Sequence, residues 1–171
     1  MDIEVTPAIQ LTDFRSSDKV ALVEHLSDWE VYRRTLRIPR PYTDDDADRW
    51  LASLERSAHN VNWAVRDRSD YLIGGVGLEG DSATRSHRAE IGYWLARSHW
   101  GQGIMTAVVG AVCRHALDSL GLAKITAHVL PANEASTRVL LKNGFAQEGY
   151  FRRHFLKDGE LIDTRAFGLL R

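Results

Sequence analysis

The spacing of apolar residues divides the chain into a mainly helical first third and a remainder rich in strands. A first strand is predicted around residues 9–11, and apolar positions then recur at helical intervals. Asp18 stands where a residue would cap the first of these helices. Helices are predicted over residues 20–26, over residues 29–36, and from Thr43 or Asp44 to Leu54.

Beyond residue 60 the apolar period changes to that of strands, interrupted by two further helices. Strands are predicted over residues 62–66, 71–78, 89–95, 124–129, 146–155 and 161–170. Helices are predicted from Ile104 to Leu120, ended by Gly121, and from Asn133 to Asn143, ended by Gly144. The turn between the last two strands is placed at Lys157-Asp158-Gly159. This order of elements, with a hairpin at each end, indicates an α+β or mixed α/β sheet.

Composition narrows the class of protein without identifying it. The chain has 171 residues, a net charge of -1 and 44% hydrophobic residues, which fits one domain over residues 1–171. The near-neutral charge argues against direct nucleic-acid binding. Cys113 is the only cysteine, so no internal disulfide forms, and its place beside an apolar stripe predicts a packing role. No apolar run or basic leader indicates a membrane or secretory segment, so we expect a cytoplasmic protein.

A strand, a turn containing two glycines and a helix start follow one another around Trp100-Gly101-Gln102-Gly103. Backbone N–H groups in the first turn of a helix lack intrahelical partners, and the helix dipole adds positive charge there. The segment therefore predicts an anion site, although its spacing alone is equally consistent with an ordinary strand-to-helix turn. It is neither a Walker loop nor the dinucleotide fingerprint, since position 106 is Thr.

The residues around this loop extend the argument, because Ala89–Leu95 followed by His99–Thr106 resembles the acetyl-CoA motif of the GNAT acetyltransferases, and specifically of their RimJ/RimL branch. Other matching segments, in the same order, are Ile38-Pro39-Arg40-Pro41-Tyr42-Thr43, Asn133-Glu134-Ala135-Ser136, Lys142-Asn143-Gly144-Phe145, Glu148-Gly149, and Asp158-Gly159 with Asp163. One position departs from the pattern: Ser98 stands where the family has Gln or Arg. Arg97 is adjacent, and backbone amides do most of the phosphate binding in this family.

The resemblance implies a fold and a cosubstrate. The implied fold is a mixed α/β acyl-CoA N-acyltransferase, whose mostly antiparallel central sheet is splayed between the strands at 89–95 and 124–129. The implied cosubstrate is acetyl-CoA, with its pyrophosphate on the glycine loop and its pantetheine arm in the gap. The residues implied to bind it are Tyr93, Trp94, Leu95, Trp100, Gly101, Gln102, Gly103, Ile104, Met105 and Asn133. Trp100 has the alternative of only bracing the loop.

The implied reaction is direct transfer of an acetyl group to an amine, which must lose its proton to attack. A terminal α-amine, with a pKa of about 8, is roughly 10% neutral at pH 7, so it needs only modest help from a base. Glu90 is the candidate base, with a surface strand residue or a partner of Arg88 as the alternative. Ser136 is the candidate acid for the departing thiolate, since Leu140 stands where many relatives have tyrosine; its alternative is a hydroxyl bonding helix-start N–H groups. Tyr150 and His154 are further candidates.

The acceptor is expected to be a protein N-terminal α-amine of the ribosomal-protein type. A small amine, an amino acid or an antibiotic is the alternative acceptor, and a non-catalytic acyl-CoA-binding module is the alternative function. A homodimer is possible, and no metal or membrane partner is expected. The histidines are scattered in sequence: His25, His59, His87, His99, His115, His128 and His154. Two charged runs each have two interpretations: residues 44–46 attract an amine or start a helix, and residues 152–154 contact an anion or form a solvated face.

Overall fold

The computed structural model describes residues 2–54, 60–80 and 87–171. The strands are β1 (Ile3–Thr6), β2 (Ile9–Thr12), β3 (Asn60–Arg66), β4 (Leu72–Gly80), β5 (Arg88–Leu95), β6 (Lys124–Val129), β7 (Ala146–Lys157) and β8 (Glu160–Leu170). The helices are α1 (Lys19–Leu26), α2 (Trp29–Tyr32), α3 (Asp44–Leu54), α4 (Ile104–Arg114) and α5 (Glu134–Lys142). Short 3₁₀ turns cover Ser16–Asp18 and Arg97–His99, and a π-helical segment covers His115–Ser119.

The eight strands form one sheet in the order β1-β2-β3-β4-β5-β6-β8-β7. Every neighbouring pair is antiparallel except β5 and β6, which are parallel. Parallel neighbours need a crossover connection, which α4 supplies. The predicted mixed α/β fold with a mostly antiparallel sheet is confirmed.

Helices cover both faces of the sheet. Apolar side chains of α4 and α5 pack against one face together with alternate residues of β5 and β6. Side chains of α1, α2 and α3 pack against the other face. Because side chains alternate along a strand, Tyr93 lies on the α4–α5 face, whereas Glu90, Gly92 and Trp94 lie on the α1–α3 face.

The start of α1 differs from the prediction. Asp18 stands before the helix but makes no side-chain cap there. Its carboxylate instead receives two hydrogen bonds from the buried guanidinium of Arg66, at 2.8 and 2.9 Å. Both side chains are almost fully buried, at 5% and 2% exposure. The capping prediction was wrong because a buried cation from β3 needs a charged partner more than the exposed helix start does.

Other boundaries moved by part of an element. The strand β1 was not predicted, and α2 ends at Tyr32 rather than at residue 36. The α-helical geometry of α4 ends at Arg114, and the π-helical segment completes the stretch that was predicted as helix to residue 120. The last hairpin turn lies at Asp158-Gly159, both with positive φ as a two-residue hairpin turn requires. Within the described part of the chain, no helix is long and apolar enough to cross a bilayer.

Candidate active site

A gap opens in the middle of the sheet. The strands β5 and β6 pair only from Arg88 to Glu90, opposite Lys124 to Thr126. On its other edge β5 stays paired with β4 as far as Leu95. The five residues 91–95 therefore form one wall of a wedge whose wide end faces the starts of α4 and α5. This is the splayed strand pair that the family resemblance implied.

The glycine loop lies at the wide end of this gap. Gly101 and Gly103 both adopt left-handed backbone geometry, with φ of 75° and 76°, which glycine adopts without steric cost. A Cβ atom at either position would point into open space, so the loop surface is accessible. No side chain caps α4, whose first internal hydrogen bond runs from Ala107 N–H to the Gly103 carbonyl at 3.1 Å. The preceding amides suit the anionic oxygens of a phosphate.

Trp100 braces this loop. Its indole N–H donates to the carbonyl of Leu95 at 2.8 Å, and the guanidinium of Arg34 lies 4.8 Å from its ring centre. Ser98 is the position that departs from the family pattern. Its backbone carbonyl accepts a hydrogen bond from the Gln102 side chain at 3.3 Å. The loop is thus fixed from within. A cofactor contact of Trp100 stays a prediction beside this bracing role.

Glu90 lies at the narrow end of the gap, on the α1–α3 face. Its carboxylate is 3.3 Å from the guanidinium of Arg37 and 3.2 Å from Nδ1 of His128. Arg37 also pairs with Glu79, the residue directly opposite Glu90 on β4. Burial opposes the charged form of Glu90, but His128 and the charge of Arg37 outweigh it, so its pKa lies below the ordinary value.

Ser136 lies at the start of α5, on the opposite face of the sheet. Its hydroxyl is 2.8 Å from the phenol oxygen of Tyr93. The side chain of Asn133 accepts from the Ser136 N–H at 3.2 Å, so asparagine, and not the serine hydroxyl, satisfies the helix start. Burial raises the pKa of Tyr93 to about 12, and the phenol is neutral at any physiological pH.

Asn133 connects two segments through the two ends of its amide. The oxygen caps α5, and the nitrogen donates to the carbonyl of Arg34 at 3.1 Å. The chain after α2 is thereby held beside the start of α5. A contact between Asn133 and the cosubstrate remains a prediction.

Three residues of the site were not predicted: Arg37, His128 and Gly92. Gly92 lies on the same face as Glu90, two residues along β5, and a Cβ there would meet no atom within 4 Å. A glycine in the centre of a strand is a signal that something approaches the backbone closely, and this signal was available in the sequence. The roles of Arg37 and His128 depend on pairings across the fold that no local pattern shows.

The other candidate acids behave differently from each other. Tyr150 is half exposed and donates to Asp163 at 2.9 Å, away from Glu90. His154 stacks on His128, with 4.8 Å between ring centres, and therefore joins the Glu90 group. Arg152 and Arg153 are exposed, and an anion contact by residues 152–154 stays a prediction.

The remaining polar candidates have structural surroundings. Cys113 is buried, and burial raises the pKa of its thiol to about 12, consistent with packing. At the start of α3, Asp46 accepts from the Thr43 N–H, and Asp44 lies 3.7 Å from Nζ of Lys19. These contacts fit a helix-start role, and attraction of an amine stays a prediction. His59 lies outside the described residues. Among the residues that are described, no group of three or more His, Cys, Asp or Glu side chains could hold a metal ion.

Comparison with known proteins decides the family. The family model for the acetyltransferase (GNAT) domain matches residues 9–146. The chain belongs to the GNAT acetyltransferase family. An N-acetyltransferase named p20 from Bacillus licheniformis is 32% identical over 177 residues, covering 100% of this chain and 97% of the relative. The GNAT chain described here is therefore an N-acetyltransferase.

The RimJ/RimL resemblance is also confirmed. The ribosomal-protein-serine acetyltransferase of Escherichia coli is 41% identical over 71 residues, which cover 41% of this GNAT chain and 40% of that protein. The structure of Mycobacterium smegmatis RimJ in complex with a CoA disulfide superposes with a TM-score of 0.85 at 23% identity, covering 95% of this chain and 81% of that one. At that identity the likeness concerns the fold.

Proposed function

We propose that this GNAT protein transfers the acetyl group of acetyl-CoA to the α-amine of a protein N-terminus. The observation that carries the proposal is the gap between β5 and β6, which has a carboxylate on one face and a hydroxyl pair on the other. An amine can approach the gap from the Glu90 side while the thiol departs beside Ser136. Direct transfer between two substrates requires such two-sided access.

Acetyl-CoA fits the donor side of the gap. The uncapped start of α4 and the two left-handed glycines suit its pyrophosphate. Residues 91–95 of β5 offer strand backbone along the predicted path of the pantetheine arm. When bound, acetyl-CoA supplies an activated acyl carbon. The RimJ structure was solved with a CoA disulfide, which supports the same ligand class for this chain.

Glu90 is proposed to receive the proton of the attacking amine. A terminal α-amine is roughly 10% neutral at pH 7, and a lysine amine is far below 1% neutral. The carboxylate of Glu90 is ionised near neutral pH, as an ordinary glutamate is, and its contacts lower its pKa further. It can therefore attract the ammonium form of the acceptor and accept its proton before the neutral amine forms the N–C bond.

Ser136 is proposed to stabilise the sulfur as the C–S bond breaks. The Tyr93 phenol stays protonated and lies 2.8 Å from the Ser136 hydroxyl. The proposed arrangement has Tyr93 donating to the Ser136 hydroxyl oxygen, one of the two directions open to this pair, so that the serine proton can point into the gap. Tyr93, on β5, acts in this arrangement as a positioning residue for Ser136, which lies on α5 with the buried Leu140.

The acceptor assignment rests on the relatives. The Escherichia coli relative is a ribosomal-protein-serine acetyltransferase, and a second relative acetylates an alanine of a ribosomal protein, with 30% identity over 77 residues. Both names describe a protein acceptor. A small amine is the competing acceptor within the same chemistry.

A panel of acceptors tests the proposal. Acetyl-CoA would be mixed with peptides that differ in their first residue, with polyamines and with aminoglycosides, and the released thiol measured. The proposal predicts release with at least one peptide class and little with the small amines. Thiol release only with small amines would show that the acceptor is a small amine and not a protein N-terminus. Binding of acetyl-CoA without release across the whole panel would contradict the enzyme function.

A further inference from the structure

A cluster of aromatic and imidazole rings surrounds His128, the histidine beside Glu90. Nδ1 of His128 is buried and lies 3.2 Å from the Glu90 carboxylate, but not in the geometry of a hydrogen bond, and it has no other hydrogen-bond partner. His154 stacks on the His128 ring at 4.8 Å, and Phe151 and Phe155 lie 5.8 and 6.2 Å away. The ring is therefore held within reach of one carboxylate and shielded by its neighbours.

An irregularity in β7 creates this cluster. Between the pairs Phe151–Thr164 and Phe155–Ile162, three residues of β7 lie opposite the single residue Asp163 of β8. Asp163 accepts from the N–H of Arg153, whose φ is 52°. A positive φ at a non-glycine residue is strained and needs support from its surroundings. The surrounding structure therefore supports the bulge, and one of its three residues, His154, stacks on His128.

The charges around Glu90 limit what it can do alone. Among the described residues, Arg37 lies against Glu90 and Glu79, and the charges of His128 and His154 also act on Glu90. These contacts hold the pKa of Glu90 down, which makes the carboxylate a weak proton acceptor. A general base works best when its pKa lies near the working pH, and imidazole ordinarily titrates there.

We propose that His128 is the terminal acceptor of the proton that Glu90 draws from the acceptor amine. This inference rests on the proposed acetyl transfer. The amine nitrogen forms a bond to the acyl carbon, and the C–S electron pair leaves with sulfur. The proton of the amine passes by way of the Glu90 carboxylate to Nδ1 of neutral His128, whose own proton is then on Nε2, and the resulting imidazolium returns one proton to water. His128 acts through Glu90 and is a positioning and relay residue.

The dependence of kcat/KM on pH tests this relay. With a peptide acceptor, the wild-type protein should lose kcat/KM on acidification with the slope of two protons, one from the α-amine and one from the proposed relay. The His128→Asn change keeps a polar side chain that cannot titrate. We expect it to reduce the slope to one proton and to lower kcat/KM at pH 7 by roughly tenfold to a hundredfold.

Matched variants separate the relay from a structural role. His87→Asn makes the same change at an exposed position at the head of β5 and should keep the two-proton slope. His154→Phe keeps a stacked ring and should also keep it; loss of the slope in this variant would assign the proton to His154 and overturn the proposal. For His128→Asn, the defect should shrink with a peptide whose α-amine has a lower pKa, because less base is then needed.

Two further results distinguish failure of the relay from failure of the acetyltransferase assignment. If His128→Asn, shown to be folded by its melting temperature, keeps the wild-type slope, the relay is wrong while acetyl transfer stands. A His128→Phe variant that is folded and also keeps the slope would contradict the relay even if the asparagine variant did not fold. If the wild-type protein releases no thiol with any acceptor, the function itself is wrong.

Discussion

A valine at position 92 should slow acetyl transfer about a hundredfold while leaving the protein at least as stable as before. Gly92 lies in the wall of the gap, between Glu90 and Trp94, where the paired part of β5 and β6 has ended. A Cβ at this position would meet no protein atom within 4 Å. Valine favours strands more than glycine does, by up to about 1 kcal/mol. The added methyl groups would instead occupy space that the substrates need.

The magnitude follows from the geometry of the reacting groups. A displacement of about 1 Å between reacting atoms costs on the order of a hundredfold in rate. Each tenfold corresponds to about 1.36 kcal/mol, so we expect a barrier higher by about 2.7 kcal/mol for Gly92→Val. Gly92→Ala, with a single methyl group, should lose less activity. The ratio of the two variants therefore reports how tightly the gap is filled during the reaction.

Thiol release and thermal unfolding measured on the same samples provide the assay. Gly74→Ala is the matched contrast, since its Cβ would lie 2.7 Å from the backbone oxygen of Trp94. Such overpacking costs about 1–3 kcal/mol of stability. We expect Gly74→Ala to melt earlier and Gly92→Val to melt no earlier than the wild type. A Gly92→Val protein with normal kcat/KM, or one that is strongly destabilised, would refute the reasoning.

Three further predictions concern the buried ion pair, the hydroxyl pair and the loop. Asp18→Ala should lower the free energy of unfolding by about 3–5 kcal/mol in urea titrations, because the buried Arg66 loses its partner. The double change Asp18→Leu and Arg66→Met should cost less than the single one; equal or greater cost would contradict the pairing argument. Tyr93→Phe should lower kcat about fivefold with little change in KM, as expected for about 1 kcal/mol from one hydrogen bond. Because the pKa of Tyr93 is about 12, this ratio should stay constant from about pH 6 to 9, and a pH-dependent ratio would contradict it. Gly103→Pro and Gly101→Val should abolish CoA binding in calorimetry while the circular dichroism of the sheet is retained. The reason is that neither the introduced proline nor the introduced valine accepts the φ near 75° that these positions need. Normal CoA affinity in both would refute the loop assignment.

Local patterns were sufficient for most of the fold. Strands such as β6 were predicted with their observed ends because polar and apolar residues alternate over all six positions, and the burial of their side chains alternates in the same way. The strand β1 was missed because it has only four residues and stops just before Pro7. The partner of Asp18 was missed because Arg66 lies 48 residues away, and charge pairing over such separations leaves no local trace. Nothing in the structure explains the π-helical end of the α4 segment.

In the candidate site, too, features formed by consecutive residues could be predicted, whereas contacts between distant residues could not. The glycine loop could be predicted from sequence because its chemistry is that of backbone amides in consecutive residues. Glu90 and Ser136 came from the family resemblance. Their partners did not, because Tyr93 lies 43 residues from Ser136, and Arg37 lies 53 residues from Glu90. The sheet topology brings these partners together, and it also places the two candidate residues on opposite faces of one gap.

The most direct test of the proposed function locates the acetyl group itself. A peptide carrying both a free N-terminus and a lysine would be incubated with the protein and isotopically labelled acetyl-CoA, then fragmented by mass spectrometry. We predict label on the α-amine alone, and no label when that amine is blocked beforehand. Label on the lysine, or intact acetyl-CoA after incubation with every peptide and small amine, would contradict N-terminal acetyl transfer through the β5–β6 gap.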